Sequence, residues 1–555
     1  MAGGTWIDQN KVLPGVYINY SSAPSTLATM GERGVVCIGK QLSWANAGHV
    51  IVINDPSECF DKLGYDQMSD ELIWLRQLLV GTNRTSGASK ILVWPLGVTG
   101  ATEASATESD VTTPAVKATL SIAGKTATAK EAGAAGNSLA IAVTVNSGDS
   151  SKFDVTIYNG ADAVETNEAI ASTDGITSAL IDFVGENAWN WTATAKTNLS
   201  GGADAVIGAS ITATAKYAGV RGNDITVVIT ADPDNDSSHT KFYVQTLVSG
   251  KVVDNQVLEA DAASVDWSGL VDSDWVKFSN KTGNVFAINA TLSGGTDGSL
   301  SSSAYSDFMT EMELNTWNVM VYGGSDSVVK SAIASYVKRL SNDEGKKVQA
   351  VIANYPSADN ECVISVYPQN ITDLSGHQLT DEEMACWVAG CTAGANVNES
   401  LTYSAHPDAA SINPVLTQSQ QIDAINAGQF AIFEEFGSIK VLQDINSFTS
   451  FAVTKGKQFS KNRVIRTVFG ISNDSYKTFA QNYIGNTNND AVGRGLLKAE
   501  LINLLLRYQG AGALQNVVED DVVVNPGQES DAVVIEMYIQ PVDSIEKIYI
   551  NITIS

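Results

Sequence analysis

Long apolar runs are missing from this chain. Its apolar stretches, such as residues 91–94 (ILVW) and 348–352 (VQAVI), are short and interrupted. None approaches the roughly 18 residues that a membrane-crossing helix requires, so no membrane insertion is expected. The opening MAGGTWIDQNKVLPGVY lacks a basic region followed by an apolar core, and a secretory signal is therefore not expected. Cysteine is scarce as well: Cys37, Cys59, Cys362, Cys386 and Cys391 form an odd, scattered set of five. Such a set predicts reduced, buried thiols rather than a disulfide framework. Cys386 and Cys391, with Trp387 and Gly390 between them, match no usual zinc spacing.

Catalytic constellations are absent too. The P-loop pattern does not occur, and Gly493-Arg-Gly495 is too short for a dinucleotide fingerprint. Ser327-Val-Val-Lys330 matches a Ser-x-x-Lys pattern, but it opens a predicted helix without partner motifs, as four-residue matches do by chance. The four histidines (His49, His239, His377, His406) are isolated and read as ordinary loop or core residues. Asp232, Asp234 and Asp236 alternate as calcium-loop ligands do. The glycine required at the sixth position is Ser237, however, and the twelfth position is Tyr243, so a turn between strands accounts for DPDND. No pair among the carboxylates stands out for acid–base work. The expectation is a non-enzyme with no cofactor and no metal.

Positive charge is the third scarcity, at 34 Lys and Arg against 61 Asp and Glu, for a formal net charge of −27. Direct nucleic-acid binding needs clustered cations and is not expected. The few cations are unevenly placed. Residues 451–507 hold nine of them, Lys455, Lys457, Lys461, Arg463, Arg466, Lys477, Arg494, Lys498 and Arg507, against only Asp474, Asp490 and Glu500. This segment reads either as a surface for an acidic partner or as charge solvated or neutralised by acids elsewhere in the fold.

What is present is a repeat. TATAKEAGAAGN at 126–137 returns as TATAKYAGVRGN at 212–223, and LSGGADA at 199–205 returns as LSGGTDG at 292–298. Between these anchors both copies alternate apolar and polar residues, rich in Val, Ile and Thr and broken by Gly, Asn, Asp and Ser, which is the pattern of half-buried antiparallel strands. Trp189 and Trp275 fall at matching places and are expected to plug the two cores. Two copies are too few for a solenoid, so duplicated β sandwiches are expected. At 555 residues the chain needs several cores. The flanks alternate helix and strand: helix 69–80, strand 90–95, strand 317–322, helix 326–340, strands 347–354 and 362–367, helix 381–393. This predicts one layered α/β domain that begins before residue 100 and finishes after 300, with the β pair inserted through a surface loop. Residues 97–114 and 298–303, rich in small polar residues, are expected linkers. Beyond them a strand-like stretch at 448–453, helices near 474–483 and 491–508, and β stretches at 532–540 and 546–554 are expected. In the last, EKIYINITIS, Ile548, Ile550, Ile552 and Ile554 share one face, so it should add to a sheet of its own chain or a neighbour's.

LPGVYINYSSAP at 13–24, GERGVVCIGK at 31–40, GKQFSKNRVIRTVFG at 456–470, FAQNYIGNTNNDAVGRGLLKAELINLLLRYQ at 479–509 and the final PVDSIEKIYINITIS together resemble contractile bacteriophage tail sheath proteins, in particular those of Gram-positive myophages and phage-tail-like bacteriocins. The resemblance covers residues 1–100 and 300–555 and leaves out the duplicated insert. It implies a virion tail protein, made in the bacterial host cytoplasm, that self-assembles as stacked homohexameric rings around an inner tail tube protein, between a baseplate and a tail terminator. It implies an extended, metastable sheath that contracts and drives the tube through the target envelope, with terminal arms passed between subunits and the C-terminal domain facing the tube.

Carried onto this chain, the resemblance makes Val12, Leu13, Val16, Tyr17, Ile18, Ile548, Ile550, Ile552 and Ile554 candidates for strand exchange. Lys461, Arg463, Arg466, Arg494 and Lys498 become candidates to face the tube. On a helical wheel Arg494 and Lys498 share a side with Leu501 and Leu505 whereas Arg507 points away, which puts Arg494 and Lys498 first; Arg463 and Arg466 stand open to pairing acids within the domain. The insert, with 24 acids against 11 bases between residues 101 and 300, suits an exposed outer surface. The expected organisation is an arm (1–20), an α/β core in two parts (21–112 and 299–447), two β-sandwich-like domains (113–205 and 206–298), an α+β tube-facing domain (448–543) and an arm strand (544–555). The alternative is a non-catalytic surface adhesin or carbohydrate-binding protein, against which stand the missing signal and the α/β core.

Overall fold

The structure, a computed structural model, describes residues 2–4, 15–17, 33–44, 48–183 and 189–554. It divides into two units, one made of residues 1–99 and 300–555 and the other of residues 100–299.

The first unit is built on a seven-stranded sheet in the order Gln429–Phe430, Val363–Val366, Gln349–Ala353, Val319–Tyr322, Val35–Lys40, Lys90–Pro95, Ile51–Ile53. Every pairing is parallel except that of the edge strand Ile51–Ile53. Val35–Lys40 lies beside Val319–Tyr322, so the segments on either side of the insert share one sheet. Parallel strands covered on both faces read as continuous apolar runs, and period two sorts their side chains. Val36, Ile38, Ile91, Val93, Val319, Val321 and Val351 enter one core, under helices Ile73–Val80 and Asp381–Gly394. Val35, Cys37, Leu92, Met320, Ala350 and Ile352 enter the other, under helices Ala304–Glu313 and Ser327–Asn342. Asp326 caps Ser327–Asn342 by accepting from Val328 N at 2.8 Å, and Thr380 with Glu383 forms a capping box on Asp381–Gly394. The two helices of the first core approach closely: a Cβ on Gly390 would sit 2.1 Å from the Leu78 carbonyl oxygen. All five cysteines are buried and unpaired.

Toward the C-terminal side, helices Asn462–Asn482 and Ala491–Gly510 and the hairpin Val522–Pro526 with Val533–Met537 close over Val397, Ile471, Leu501, Leu504, Leu505, Tyr508, Leu514 and Val522. Two expectations are corrected here. Residues 448–453 form no strand, and the helix expected from 474 begins twelve residues earlier, at Asn462. Its first turns are rich in β-branched residues, but Val464, Ile465, Thr467 and Ile471 are buried at helical spacing, and tertiary burial outweighs their weak intrinsic preference.

The second unit contains the repeat, and its topology corrects the expected linker. The first copy pairs Asp162–Ala171, Lys152–Asn159, Leu139–Val145 and Thr194–Asn198 in one sheet and Ile181–Phe183, Lys125–Ala129 and Thr119–Ile122 in another. The second copy repeats both orders with Lys251–Ala260, Thr240–Val248, Ile225–Ala231 and Ile288–Thr291, and with Val276–Thr282, Val206–Ala215 and Ser105–Thr113. Its last strand comes from the stretch expected as a linker. In the first copy Thr119–Ile122 and Lys125–Ala129 form a tight hairpin, Thr119 opposite Thr128; in the second, Ser105 lies opposite Thr214 in the equivalent register. The first β domain is thus inserted into a hairpin turn of the second, and its ends meet at a bridge between Val116 and Ala203. Ser105–Thr113 escaped recognition because its residues, SATESDVTT, are polar and mostly exposed.

This topology explains which residues both copies retain. Asn137 donates to the Gly202 carbonyl at 2.7 Å and accepts from Gly202 N at 2.9 Å; Asn223 does the same with Gly295 at 3.0 and 2.8 Å. Asp204 accepts from Ala134 N at 2.7 Å, and Asp297 from Val220 N at 2.8 Å. A Cβ on Gly202 or Gly295 would stand within 2.5 Å of the carbonyl oxygen of Gly133 or Gly219. Trp189 is fully buried and stacks on Trp191 with centroids 5.0 Å apart; Trp275 is buried in the second copy.

Candidate assembly surface

The basic segment sorts into cations that turn inward and cations that do not. Arg466 lies 3.2 Å from Asp444, donates to the Glu399 carbonyl at 3.1 Å, and is 1 % exposed. Lys461 pairs with Glu546, and Lys455 with Glu361 at 2.5 Å. Arg466 and Lys461 therefore leave the set of residues available to an outside partner, because acids distant in sequence take them up. Arg463 is half-buried, reaches toward the Gly512 carbonyl at 3.4 Å, and is held below its ordinary pKa first by burial. Arg494 lies at the start of helix Ala491–Gly510, where Asp490 caps Gly493 N at 2.8 Å, and it donates to the Asn489 side chain at 2.9 Å. Lys498, one turn on, stands 3.9 Å from the exposed Glu519. Leu501 and Leu505 continue that side of the helix into the core. The opposite side carries Val492, Leu496 and Leu506, all exposed. This stripe is hidden in the sequence because a helix apolar on two sides shows no single amphipathic face.

The isoleucine stretch has no strand partner among the described residues. Ile548, Ile550, Ile552 and Ile554 are 76–93 % exposed, and Tyr549 is 89 % exposed. Immediately before it the chain is fastened. Glu546 receives Lys461, Gln443 Nε2 at 2.5 Å and Thr402 Oγ1 at 2.9 Å. Burial pushes its carboxyl pKa up, but these hydrogen bonds outweigh burial and leave it below the ordinary value. Glu546 was missed as a site residue; its trace in the sequence is a lone acid opening an alternating apolar strand.

At the other end of the chain, Gly15–Tyr17, which contains Val16 and Tyr17, pairs in parallel with Ala2–Gly4. Val12, Leu13 and Ile18 lie outside the described residues. No group of three or more potential metal ligands occurs among the described residues, and no described helix is long and apolar enough to cross a membrane.

Comparison with known proteins adds family matches. Residues 298–447 match the phage tail sheath protein central domain, residues 454–555 the phage tail sheath C-terminal domain, and residues 111–206 and 202–297 each match the phage tail sheath protein beta-sandwich domain. The crystal structure of the sheath tail protein of Desulfitobacterium hafniense is 34 % identical, with a TM-score of 0.67 over 97 % of this chain and 99 % of that one. The sheath tail protein of Listeria innocua shares the fold at 23 % identity, with a TM-score of 0.62 over 95 % of this chain and 96 % of that one. The phage-like element PBSX protein XkdK of Bacillus subtilis (strain 168) is 29 % identical over 375 residues, covering 64 % of this chain and 79 % of its own length.

Proposed function

The chain belongs to the phage tail sheath family, and from that premise we propose that it polymerises as stacked six-subunit rings around an inner tail tube and contracts to drive the tube through a target envelope. The observation that carries this reading is the isoleucine stretch: a β-competent segment with one apolar face, fastened at its root and without a strand partner among the described residues of its own chain. Such a segment completes a sheet in a neighbouring copy through backbone hydrogen bonds, which survive rigid-body rotation of the subunits. Each isoleucine taken out of water there contributes about 1.5–3 kcal/mol. Val16 and Tyr17, with Val12, Leu13 and Ile18, are the corresponding candidates at the other arm. Arg494 and Lys498, together with Arg463, are the cations that would meet an acidic tube. A baseplate and a terminator would bound the polymer in the virion tail.

Negative-stain microscopy of the full chain and of a chain ending at Lys547 tests this. The shortened chain keeps the Glu546 anchor and loses residues that are exposed wherever they are described, so its own fold should be retained. Hollow tubes from the full chain and discrete particles from the shortened one are expected. Tubes from both would remove the arm, and a full chain that stays dispersed even with the tube protein would remove the sheath reading.

A further inference from the structure

The fastening of Glu546 is more elaborate than a surface ion pair. Its side chain is 10 % exposed, while Ile545, Lys547 and every described residue after them are exposed. Three groups from three separate stretches converge on one carboxylate: Thr402 beyond helix Asp381–Gly394, Gln443 just after strand Ser438–Val441, and Lys461 at the N-cap of helix Asn462–Asn482. These groups are themselves held. Thr402 Oγ1 accepts from Asp444 N at 3.0 Å while donating to Glu546, and Lys461 bridges to Ile445 through the backbone. Asp444 also accepts from Leu401 N at 3.1 Å and Asn462 Nδ2 at 2.9 Å, next to Arg466. The carboxylate is thus seated on a buried polar network, where a charged hydrogen bond is stronger and less screened than at a surface.

Glu546 is two residues before Ile548 and shares its parity with Ile550, Ile552 and Ile554. Side chains of a strand alternate with period two, so a slip by one residue would present Tyr549, Asn551 and Thr553 in place of the isoleucines. We propose that Glu546 is a register pin: its clasp by Thr402, Gln443 and Lys461 fixes which face of the following segment is offered to a second copy of this chain. The inference rests on reading that segment as an exchanged strand. Because every member of the clasp belongs to one subunit, the pin stays closed while subunits rotate, and the movement falls on the residues from Lys547 onward.

The test uses the full-length chain with Glu546→Ala, Glu546→Lys and the reversed pair Lys461→Glu/Glu546→Lys. A spin label at Lys547→Cys, selective because the native thiols are buried, reads the clasp through its mobility in the dispersed protein, and microscopy of the polymer, formed with the tube protein where needed, reads the register. Glu546→Ala is expected to stay folded, to free the label, and to lose ordered tubes. Glu546→Lys should fail likewise, and the reversed pair should restore both the restraint on the label and the tubes. A freed label with tubes of unchanged helical order would overturn the pin and leave the sheath reading intact. A reversed pair no better than Glu546→Lys would overturn it too. A wild-type chain that forms no polymer even with the tube protein would overturn the sheath reading instead, and the pin with it.

Discussion

Arg466 Nη2 stands 3.2 Å from Asp444 Oδ2, and both side chains are 1 % exposed. This pair ties the long helix Asn462–Asn482 to the loop at 399–401, since Arg466 also reaches the Glu399 carbonyl and Asp444 the Leu401 amide. Removing one partner strands the other charge in the interior, which costs about 3–5 kcal/mol. Asp444→Ala should destabilise by that amount in denaturant unfolding, whereas Asp444→Ala/Arg466→Met should lose clearly less than Asp444→Ala and Arg466→Met added together.

His406 titrates in a measurable window. It is buried against Trp387, with ring centroids 4.9 Å apart, accepts from Asp408 N at 3.1 Å and donates to Gln77 Oε1 at 3.0 Å. Burial, opposed by the charges of Asp408 and Asp373, lowers its pKa to about 4. The folded value lies below the unfolded one, so the unfolded chain binds the extra proton first. Stability is complete above pH of about 6.5 and falls as pH drops toward 4, by up to about 3 kcal/mol. His406→Gln should flatten that slope in thermal unfolding between pH 6.5 and 4.

The Glu546 clasp responds lower on the scale. Lys461 and Arg84 are cations near it, Glu399 is a second acid, and the Arg466–Asp444 pair lies behind Thr402. Since its pKa lies below the ordinary value, the clasp holds above the usual carboxylate range of about pH 4.3 and opens only as pH falls beneath it. A spin label at Asn551→Cys, selective because the native thiols are buried, should gain mobility below that pH. It should be mobile at every pH in Glu546→Ala.

Arg494→Gln/Lys498→Gln should weaken binding to an acidic tube and reduce the dependence of that binding on salt, because these half-buried charges still reach solvent and would act through screened attraction. Arg466→Gln should instead lower stability. Comparing polymerisation on tubes at two ionic strengths with the unfolding midpoint separates the two effects.

Replacing residues 114–205 by Ala-Gly, the turn that joins the hairpin of the first β domain at Ala123 and Gly124, should leave the second β domain folded. Calorimetry should lose one transition, and protease resistance of the remaining domain should be unchanged.

The sheet of the first unit was readable because strands buried on both faces leave uninterrupted apolar runs; helix 381–393 was found at Asp381–Gly394 and strand 90–95 at Lys90–Pro95. The repeat was readable because Asn137 and Asn223 each close the same pair of backbone hydrogen bonds. What stayed hidden depended on partners distant along the chain. Arg466 and Lys461 look like any surface cation until Asp444 and Glu546, 22 and 85 residues away, are brought to them. Ser105–Thr113 carries no apolar face, because its place in the fold needs none.

That strand also has to wait. During synthesis Ser105–Thr113 leaves the ribosome before its partner Val206–Ala215, with the whole first β domain made in between. At about 5–20 residues per second the delay is roughly 5–20 s. An unpaired edge rich in Val and Ile would be open to aggregation for that time. With one valine and one alanine among hydroxyl and acidic residues, this edge stays hydrated until the inner domain has folded and its joined ends, Val116 and Ala203, bring the two halves of the outer one together.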